Sequence, residues 1–358
     1  MNLLDTTQDE LKAWLAAREL PPFRAGQIRR WLFRSRAEQF EVMTDLPAGL
    51  RADLEADFQI WTSRIAAHQQ AEDGTEKLLF ELKDGEKIES VLLREGIRRT
   101  ICISTQVGCA MGCVFCATGI DGVVRNLTHG EIVEQMLRLS RLLPEGENAK
   151  DLPERLSHIV VMGMGEPLAN LDALLPALSD AESNTGLGIS SRRITISTVG
   201  LPAAIHRLAD EQCKYSLAVS LHAADDELRN RLVPVSKKIP LRDILSAADH
   251  YFEVSGRRLT FEYVLLGGVN DRDEDARRLA GLLSGRGALL NLIPYNPVAG
   301  LPYETPTLVR CRSFVDILGQ QGVNVQIRRR KGAKIDAACG QLRRSQPPAA
   351  SPIVPLST

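Results

Sequence analysis

CISTQVGCAMGCVFCATG, residues 102–119, contains three cysteines in a C-x3-C-x2-C array: Cys109, Cys113 and Cys116. Thiolates at this spacing can face a single metal centre, because thiolate is the usual protein ligand of iron–sulfur clusters. A [4Fe–4S] cluster has four irons, so three protein ligands leave one iron open to a small molecule. This cysteine motif therefore predicts an iron–sulfur cluster with one open coordination position.

Structural zinc is the main alternative for three clustered cysteines. Structural zinc sites mostly use paired C-x2-C knuckles or Cys/His pairs, and they need four closed ligands. The chain has no second C-x2-C pair, and Cys102 is the only nearby spare thiol. A third possibility is that the cysteines are inert and buried. The spacing favours the cluster over both zinc and inert thiols.

The composition limits the classes of protein to which the chain can belong. With 358 residues, of which 44% are hydrophobic and 25% charged, the chain can build a proper core in one or two domains. It has no run of about 18 uninterrupted apolar residues, so we expect no membrane-spanning helix. The start, MNLLDTTQDELKAW, lacks the basic and apolar regions of a signal peptide. Seven cysteines, three of them clustered, argue against a disulfide framework and favour a reducing cytoplasm.

Strands rich in Ile, Val and Leu alternate with helices from residue 99 onward. The expected strands cover residues 100–105, 158–162, 193–197, 216–221, 259–265 and 289–293. Six such β–α units predict a parallel sheet covered by helices. Because six units are too few for a closed eight-fold barrel, we expect an α/β fold with an open, partial (β/α)6 barrel. The cysteine motif follows the first strand, at the C-terminal end where such folds carry their chemistry.

The chain is expected to divide into a helical accessory domain, a β-hairpin connector, the barrel with a C-terminal cysteine loop, and a disordered tail: residues 1–60, 61–98, 99–345 and 346–358. In the first segment, hydrophobic periodicity predicts helices over about residues 25–36 and 46–58. In the second, the Asp84-Gly85 turn joins two strands. The tail is rich in Pro, Ser and Ala.

Two basic segments are candidates for phosphate contact. The formal net charge is only −1, so binding to nucleic acid would depend on local patches. In the first segment, aromatic residues interleave with five arginines: Arg24, Arg29, Arg30, Arg34 and Arg36. This row suits RNA phosphates, but it is also typical of a solvated surface above a core. The second segment is residues 326–342, QIRRRKGAKIDAACGQL, the densest basic run in the chain.

Cys339 lies at the end of that basic run, between Ala338 and Gly340. Its small neighbours cannot bury it, and the nearby cations favour the thiolate form. Cys339 is therefore a candidate reactive thiol, with an adventitious surface thiol as the alternative. Cys213 and Cys311 have apolar surroundings at or near helices, so we expect both in the core.

Glycines or polar residues follow several other predicted strands. The turn Gly163–Pro167, GMGEP, lets a ligand approach the backbone, whose amides and carbonyls can hold an ammonium or a carboxylate. Further candidates at strand ends are Ser197, Ser220, His222 and Asn296. Each alone is more typical of a turn or a cap. Their common position at the C-terminal ends of strands favours a shared site.

The cysteine motif, with Phe115 before its last cysteine, resembles that of radical S-adenosylmethionine (SAM) enzymes. Over most of its length the chain is similar to the radical-SAM RNA adenine methyltransferases of the RlmN/Cfr type. The segments that carry this resemblance are KIESVLL, CISTQVGCAMGCVFCATG, RNLTHGEIV, VMGMGEPLAN, ITISTVG, SLHAADDELRNRLVPV, NLIPYNP and IDAACGQL. The N-terminal FRAGQIRRWLF and MTDLP also resemble the accessory RNA-binding module of this family.

The resemblance implies how the cofactors are held. Cys109, Cys113 and Cys116 would hold one [4Fe–4S] cluster, whose open iron binds SAM, and two SAM molecules would be used per turnover. The residues that match the family's SAM contacts are Gly165, Glu166, Ser197, Ser220, Leu221, His222 and Asn296.

The resemblance also implies catalytic roles for Cys339, Cys102 and Glu89. Cys339 would accept a methyl group from one SAM. The radical formed from a second SAM would remove a hydrogen from that methyl group, and the resulting methylene would add to an adenine ring carbon. Cys102 would then take the ring proton, and a disulfide with Cys339 would form as the product leaves. Glu89, in KIESVLL, matches the family's proton acceptor.

The implied substrates are an adenosine in the peptidyl-transferase loop of 23S rRNA and the adenosine beside the tRNA anticodon, both methylated at carbon 2. The segment ATGIDGVVRNLT departs from the family's usual sequence, which leaves carbon 8 as an alternative. Two competing hypotheses are a radical-SAM enzyme with a non-RNA substrate and a zinc-stabilised RNA-binding module. We also expect an electron donor such as flavodoxin or ferredoxin, a monomer, and no contact with a membrane.

Overall fold

The computed structural model describes residues 1–144, 154–328 and 330–343. The predicted disordered tail, residues 346–358, lies outside them, as does Arg329 of the basic run. The strands in the described part of the chain are β1 (Arg64–Gln70), β2 (Glu76–Glu81), β3 (Lys87–Glu95), β4 (Arg98–Cys102), β5 (Gln106–Gly108), β6 (Val123–Asn126), β7 (His158–Val161), β8 (Ile194–Thr198), β9 (Ser216–Ser220), β10 (Thr260–Leu265), β11 (Leu289–Pro294) and β12 (Asn324–Ile327). The α-helices there are α1 (Gln8–Ala16), α2 (Arg24–Phe33), α3 (Ala48–Asp57), α4 (His129–Ser140), α5 (Leu171–Glu182), α6 (Pro202–Asp210), α7 (Asp226–Leu232), α8 (Leu241–Ser255), α9 (Asp273–Leu283) and α10 (Leu308–Gln320).

Ten of these strands form one sheet in the order β1-β2-β3-β4-β7-β8-β9-β10-β11-β12. Strands β4 and β7 to β12 run parallel, as the predicted β–α units require. The six expected strands correspond to β4 and β7 to β11. The seventh parallel strand, β12, was not predicted, because its sequence NVQI is short and mostly exposed. The expected open α/β barrel is therefore confirmed, with one more strand at its edge.

Residues 61–98 do more than connect the two larger parts of the chain. The predicted hairpin is present as β2 and β3, with Gly85 at φ +86° in its turn. A further strand, β1, pairs with β2, and β3 pairs antiparallel with β4. The barrel sheet thus continues into a three-stranded extension. The sequence RIAAHQQ of β1 lacks regular alternation, which is why it was missed; the boundaries at residues 60 and 98 stay a prediction.

The N-terminal helices dock on the barrel partly through the arginines that the sequence offered for RNA contact. Arg29 is buried and forms an ion pair with Asp180 of α5 at 2.6 Å. Arg34 and Arg36 donate hydrogen bonds to main-chain carbonyls of the barrel. These three side chains are therefore engaged within the protein, whereas Arg30 is exposed.

Helix α4 also joins the N-terminal part to the barrel. It begins with a capping box, in which Thr128 accepts from the Glu131 N–H and the Glu131 carboxylate accepts from the Thr128 N–H. Glu134 on this helix is 1% exposed and accepts hydrogen bonds from the N–H groups of Thr62 and Ser63 at 3.0 and 3.1 Å, and from both hydroxyls. This carboxylate holds the chain where it enters β1.

None of the helices within the described ranges has the length and apolar character needed to cross a lipid bilayer.

Replacement of Glu134 by alanine should lower the free energy of unfolding by about 3 kcal/mol, because two buried N–H groups and two hydroxyls lose their acceptor. Chemical denaturation of the cluster-loaded protein without oxygen would measure this change. Glu253→Ala, at an exposed position of α8, is the matched control and should change stability by less than about 0.5 kcal/mol. If Glu134→Ala loses no more unfolding free energy than Glu253→Ala, Glu134 does not anchor the chain at β1.

Candidate active site at the cysteine loop

The cysteine loop, residues 109–122, lies between β5 and β6. Gly108 has a φ of +79°, and a Cβ there would lie 2.0 Å from the carbonyl oxygen of Gly122. The Cys109 N–H donates to the same carbonyl at 2.9 Å. Only glycine fits this close approach, which lets β5 and β6 pair at the base of the loop.

The three motif cysteines line one cavity, which includes about 920 Å³ of space with its open mouth. Met111, Phe115 and Tyr295 add an apolar wall from a small buried cluster. Burial raises the pKa of the Cys109 thiol to about 12 and also raises the pKa of the Cys113 and Cys116 thiols. Such thiols hold their protons at neutral pH until a metal displaces them.

The three motif cysteines lie within electrostatic range of one another. Within the described ranges, no group of three or more His, Cys, Asp or Glu side chains is arranged to hold one metal ion. A tetrahedral zinc site needs such a group, whereas a cubane cluster places each cysteine on a different iron. Three thiols that line one cavity are the ligand set of a cubane cluster with one open iron.

The predicted GMGEP turn follows β7 and lies against the chain that leaves β4. A Cβ at Gly163 would lie 2.6 Å from the Ile103 carbonyl oxygen, and one at Gly165 would lie 2.7 Å from the Gln106 Cβ. Gly165 also has a φ of +104°. Glycine is required at both positions, and both line the cavity.

Glu166 ties this turn to the next strand. Its side chain is buried, and its two carboxylate oxygens accept hydrogen bonds from the N–H groups of Leu168 at 3.0 Å and Val199 at 2.9 Å. Burial raises the pKa of Glu166, and these hydrogen bonds oppose the rise. The carboxylate thus fixes the end of β8 beside the glycines.

The structure brings the other predicted strand-end residues to the same cavity, which is lined by Ser197, Ser220, His222 and Asn296. Leu221 is the exception. Its side chain is fully buried in the main core, its N–H donates to the Glu262 carbonyl, and its own carbonyl accepts from Arg229. Leu221 is not among the described residues that line the cavity.

His222 has an unusual backbone, with a φ of +62°. Its Nδ1 accepts a hydrogen bond from the Val264 N–H at 3.1 Å, and its ring packs edge-on against Phe115 with centroids 5.0 Å apart. Burial and, to a lesser extent, the Arg229 charge lower the pKa of His222 to about 3. The imidazole is therefore neutral, with its proton on Nε2, and adds no positive charge beside a cationic ligand.

The C-terminal segment, residues 330–343, is hydrogen-bonded to the cysteine loop. The Ala117 N–H donates to the Gly340 carbonyl at 2.8 Å, and the Thr118 Oγ1 donates to the Leu342 carbonyl at 2.6 Å. These bonds join parts of the chain more than 200 residues apart (117 to 340).

Cys339 is exposed and lines the cavity of the motif cysteines. Asn296 Nδ2 donates to its carbonyl at 3.0 Å. Burial raises the pKa of the Cys102 thiol to about 12, with Cys339 adding to the rise and Arg328 opposing it. Arg328 and the two cysteines thus lie within electrostatic range of one another, and both thiols are free.

Glu89 on β3 is 1% exposed and is not among the described residues that line the cavity. Its Oε1 pairs with Lys77 Nζ at 2.8 Å, and its Oε2 accepts from the Arg343 N–H at 2.9 Å. Lys77 Nζ also donates to the Asp336 carbonyl at 3.2 Å. Burial raises the pKa of Glu89, while Lys77 lowers it. The Glu89–Lys77 pair therefore holds both ends of the stretch that carries Cys339.

Two kinds of comparison identify the family of the chain. The family model described as Radical SAM superfamily matches residues 103–280, and the model described as Ribosomal RNA large subunit methyltransferase N-terminal domain matches residues 1–60. The "Probable dual-specificity RNA methyltransferase RlmN" of Rhodopirellula baltica is 61% identical over 345 residues, which cover 96% of this chain and 91% of that protein. The protein of the same name from Geobacillus thermodenitrificans is 46% identical over 342 residues, with coverages of 96% and 92%. The chain belongs to the RlmN family of radical SAM methyltransferases.

A solved radical SAM methyltransferase has the same fold. The radical SAM methyltransferase from Sphaerobacter thermophilus superposes with a TM-score of 0.91 at 43% identity, covering 96% of this chain and all of that one (100%). The predicted radical-SAM architecture is therefore confirmed.

As a member of the RlmN family, the chain uses a [4Fe–4S] cluster and SAM, and the site fits both. The three half-buried motif thiols would hold the cluster, beside backbone that glycines leave accessible. Asn296 Oδ1 is buried in the cavity wall and has no hydrogen-bond partner among the described residues. A ligand that brings a donor would satisfy this oxygen.

Two charged residues of the cavity lining, Arg328 and Glu262, were not predicted from the sequence as site residues. Arg328 was noted only as a member of the basic run. Glu262 is the one acid within the apolar strand TFEYVL, and that contrast was the available signal. A buried acid in a strand needs partners from neighbouring strands, and the sequence does not show which strands are neighbours.

Gly108→Ala should reduce the iron content of protein purified without oxygen by more than half, because the added Cβ would displace Gly122 and open the cysteine loop. Gly85→Ala is the matched control: its φ of +86° is similar, but nothing lies within 4 Å of the added Cβ. Iron analysis and the visible absorption of the cluster would measure both variants. Equal iron in Gly108→Ala and Gly85→Ala would contradict a steric role for Gly108.

Proposed function

We propose that this chain methylates carbon 2 of adenosine in RNA and uses Cys339 as the methyl carrier. The proposed substrates are the adenosine in the peptidyl-transferase loop of 23S rRNA and the adenosine beside the tRNA anticodon. The RlmN names of the relatives support these substrates and favour carbon 2 over carbon 8. The observation that carries the proposal is that the exposed Cys339 shares one cavity with the three motif cysteines.

Cys339 is suited to carry a methyl group from SAM to the RNA base. Hydrogen bonds at Gly340 and Leu342 fix the main chain around it, so the thiol is held in position without being buried. A second thiol can release a sulfur carrier from its product, because an S–S bond forms as the bond from the carrier sulfur to the transferred carbon breaks. This step sets free one proton, which a base accepts, and the one unpaired electron of the adduct, which returns to the electron-transfer partner. We assign Cys102 as the partner in that step, because its thiol lies within electrostatic range of Cys339.

Several other residues of the cavity bind and orient the cofactor. When bound, the cluster supplies the electron that cleaves SAM and so allows a hydrogen to be removed from the methyl group on Cys339. The GMGEP turn offers its backbone to the methionine end of SAM. Ser197, Ser220, neutral His222 and Asn296 offer polar groups, and Phe115 lies in the wall that excludes water.

Glu89 is proposed as the proton acceptor, in agreement with the family resemblance. Burial raises the pKa of this carboxyl, which makes Glu89 a stronger base than an exposed glutamate. Its bond to Arg343 connects it to the segment that carries Cys339. The same carboxylate would therefore position the carrier and accept the proton.

We propose a flavodoxin or ferredoxin as the electron donor, a monomeric enzyme and a cytoplasmic location. Ile120, Val123 and Val124, at the end of the cysteine loop and the start of β6, are exposed and offer apolar surface near the motif cysteines. Free cysteines suit a reducing compartment.

Cys339→Ala should abolish RNA methylation while reductive cleavage of SAM continues, because the carrier is lost but the cluster ligands remain. Cys213→Ala, at a half-buried cysteine outside the cavity lining, is the matched control and should retain both activities. Mass spectrometry of RNA digests, which separates 2-methyladenosine from 8-methyladenosine, and measurement of 5′-deoxyadenosine would follow the two reactions. Normal methylation by Cys339→Ala would exclude the carrier role.

RNA affinity should fall steeply with salt, because a near-neutral chain must bind phosphates through local basic patches. On single-stranded RNA each phosphate contact contributes about −0.7 to the slope of log affinity against log salt. Arg30→Gln removes an exposed cation of α2 and should reduce that slope by about 0.7. Arg242→Gln, on the exposed side of α8, should leave it unchanged. Fluorescence anisotropy with a tRNA anticodon stem-loop would test this, and salt-insensitive binding would contradict it.

A further inference from the structure

A second cavity adjoins the one that contains the motif cysteines. It lies between β12 on one side and β3 and β4 on the other, and it includes about 1500 Å³ of space with its open mouth. Six residues line both cavities: Met162, Glu262, Ile293, Asn296, Arg328 and Cys339. Among the described residues of the second lining there is no motif cysteine and no residue of the GMGEP turn. Cys339 therefore lies in the wall between the two spaces.

The second cavity has the chemical character of a site for a nucleic-acid base. Its lining includes the cations Arg98, Arg330 and Lys331, which suit a polynucleotide that enters from solvent. Its interior is lined by polar side chains of the barrel strands, among them Asn291 and Gln326. A base read by hydrogen bonds needs such groups in fixed orientations.

Four register partners form a polar row across neighbouring strands: Ser220 of β9, Glu262 of β10, Asn291 of β11 and Gln326 of β12. Gln326 Nε2 donates to Asn291 Oδ1 at 2.7 Å, and Asn291 Nδ2 donates to Glu262 Oε1 at 2.9 Å. This chain of hydrogen bonds fixes the direction of the Asn291 amide. It also satisfies one oxygen of Glu262 and leaves the other for a different donor.

Glu262 Oε2 has no such donor within the part of the chain that the structure describes. The residue is only 3% exposed, so this is a buried carboxylate oxygen beside two cavities. Arg328 Nη1 lies 3.9 Å from Oε2, which is too far for a hydrogen bond although near enough to offset its charge. A buried carboxylate oxygen without a donor is unfavourable, so a ligand that supplies an N–H group would be bound there.

We propose that the second cavity holds the target adenine and that Glu262 selects it by accepting a hydrogen bond from its 6-amino group. This inference rests on the proposed function, since it assigns the site of the methyl acceptor. Cys339 must reach the cofactor to receive the methyl group and must reach the base to deliver it. A thiol in the wall between two cavities meets both requirements. Of the groups on an adenine ring that point outward, only the 6-amino group donates hydrogen bonds.

The Glu262→Gln variant reverses the hydrogen-bonding character of this position with little change in shape. Because Asn291 donates to one side of the group, the new glutamine should turn its carbonyl oxygen toward Asn291 and its amide nitrogen toward the cavity. An acceptor for the 6-amino group then becomes a donor. The matched control is Glu253→Gln, at an exposed position of α8.

The test uses cluster-loaded protein and two anticodon stem-loop RNAs, with adenosine or with purine ribonucleoside, which lacks the 6-amino group, at the target position. For the wild-type protein we expect kcat/KM to be about 10- to 100-fold lower on the purine RNA. Glu262→Gln should lose a similar factor on the adenosine RNA, and its preference for adenosine over purine should fall at least about 10-fold. The iron content of Glu262→Gln and its SAM cleavage without RNA should equal those of Glu253→Gln.

Three outcomes would overturn the inference. The first is a preference for adenosine over purine in Glu262→Gln that equals the wild-type preference. The second is loss of SAM binding, or of SAM cleavage without RNA, in Glu262→Gln, because Glu262 would then serve the cofactor. The third is an equal wild-type rate on the two RNAs, and that result needs no variant to fold. Absence of wild-type methylation on the adenosine RNA would instead reject the proposed function itself.

Discussion

The site depends on two hydrogen bonds between segments that are far apart in the chain. The Ala117 N–H and the Thr118 hydroxyl, both just after the last motif cysteine, donate to the Gly340 and Leu342 carbonyls. The C-terminal segment contains little regular structure of its own, a short 3-10 turn at Ala333–Ile335. Its position is therefore set by such contacts and not by a helix or strand. These two bonds hold the main chain on the C-terminal side of Cys339 against the cysteine loop.

The opposite side of the C-terminal segment is held by the three-stranded extension of the sheet. Lys77 of β2 and Glu89 of β3 form a buried ion pair that also binds the main chain at Asp336 and Arg343. Breaking one partner of such a pair leaves an uncompensated buried charge, so the pair is strongly coupled to the segment it binds. The extension thus supports the C-terminal segment on the open side of the barrel, and Cys339 lies between the extension and the cysteine loop.

The local motifs of the site could be predicted from the sequence, whereas its long-range neighbours could not. The cysteine spacing and the GMGEP glycines depend on residues close in the chain, and the apolar strands of the barrel are recognised by their composition. By contrast, the partner of Arg29 is Asp180, 151 residues away, so its role in docking was missed. The polar row of Glu262, Asn291 and Gln326 likewise arises only when β10, β11 and β12 become neighbours. Glu89 was assigned from resemblance, but its contacts with Lys77 and the C-terminal segment required the fold.

The proposed role of the Cys339 thiol is to carry the methyl group from SAM to RNA. The most direct measurement is peptide and RNA mass spectrometry after single-turnover reactions with SAM whose methyl group is deuterated. We expect the label to appear first on the peptide that contains Cys339, before RNA is added, and then to move into the methyladenosine of the RNA. Label that reaches the RNA while the Cys339 peptide stays unlabelled would contradict this role.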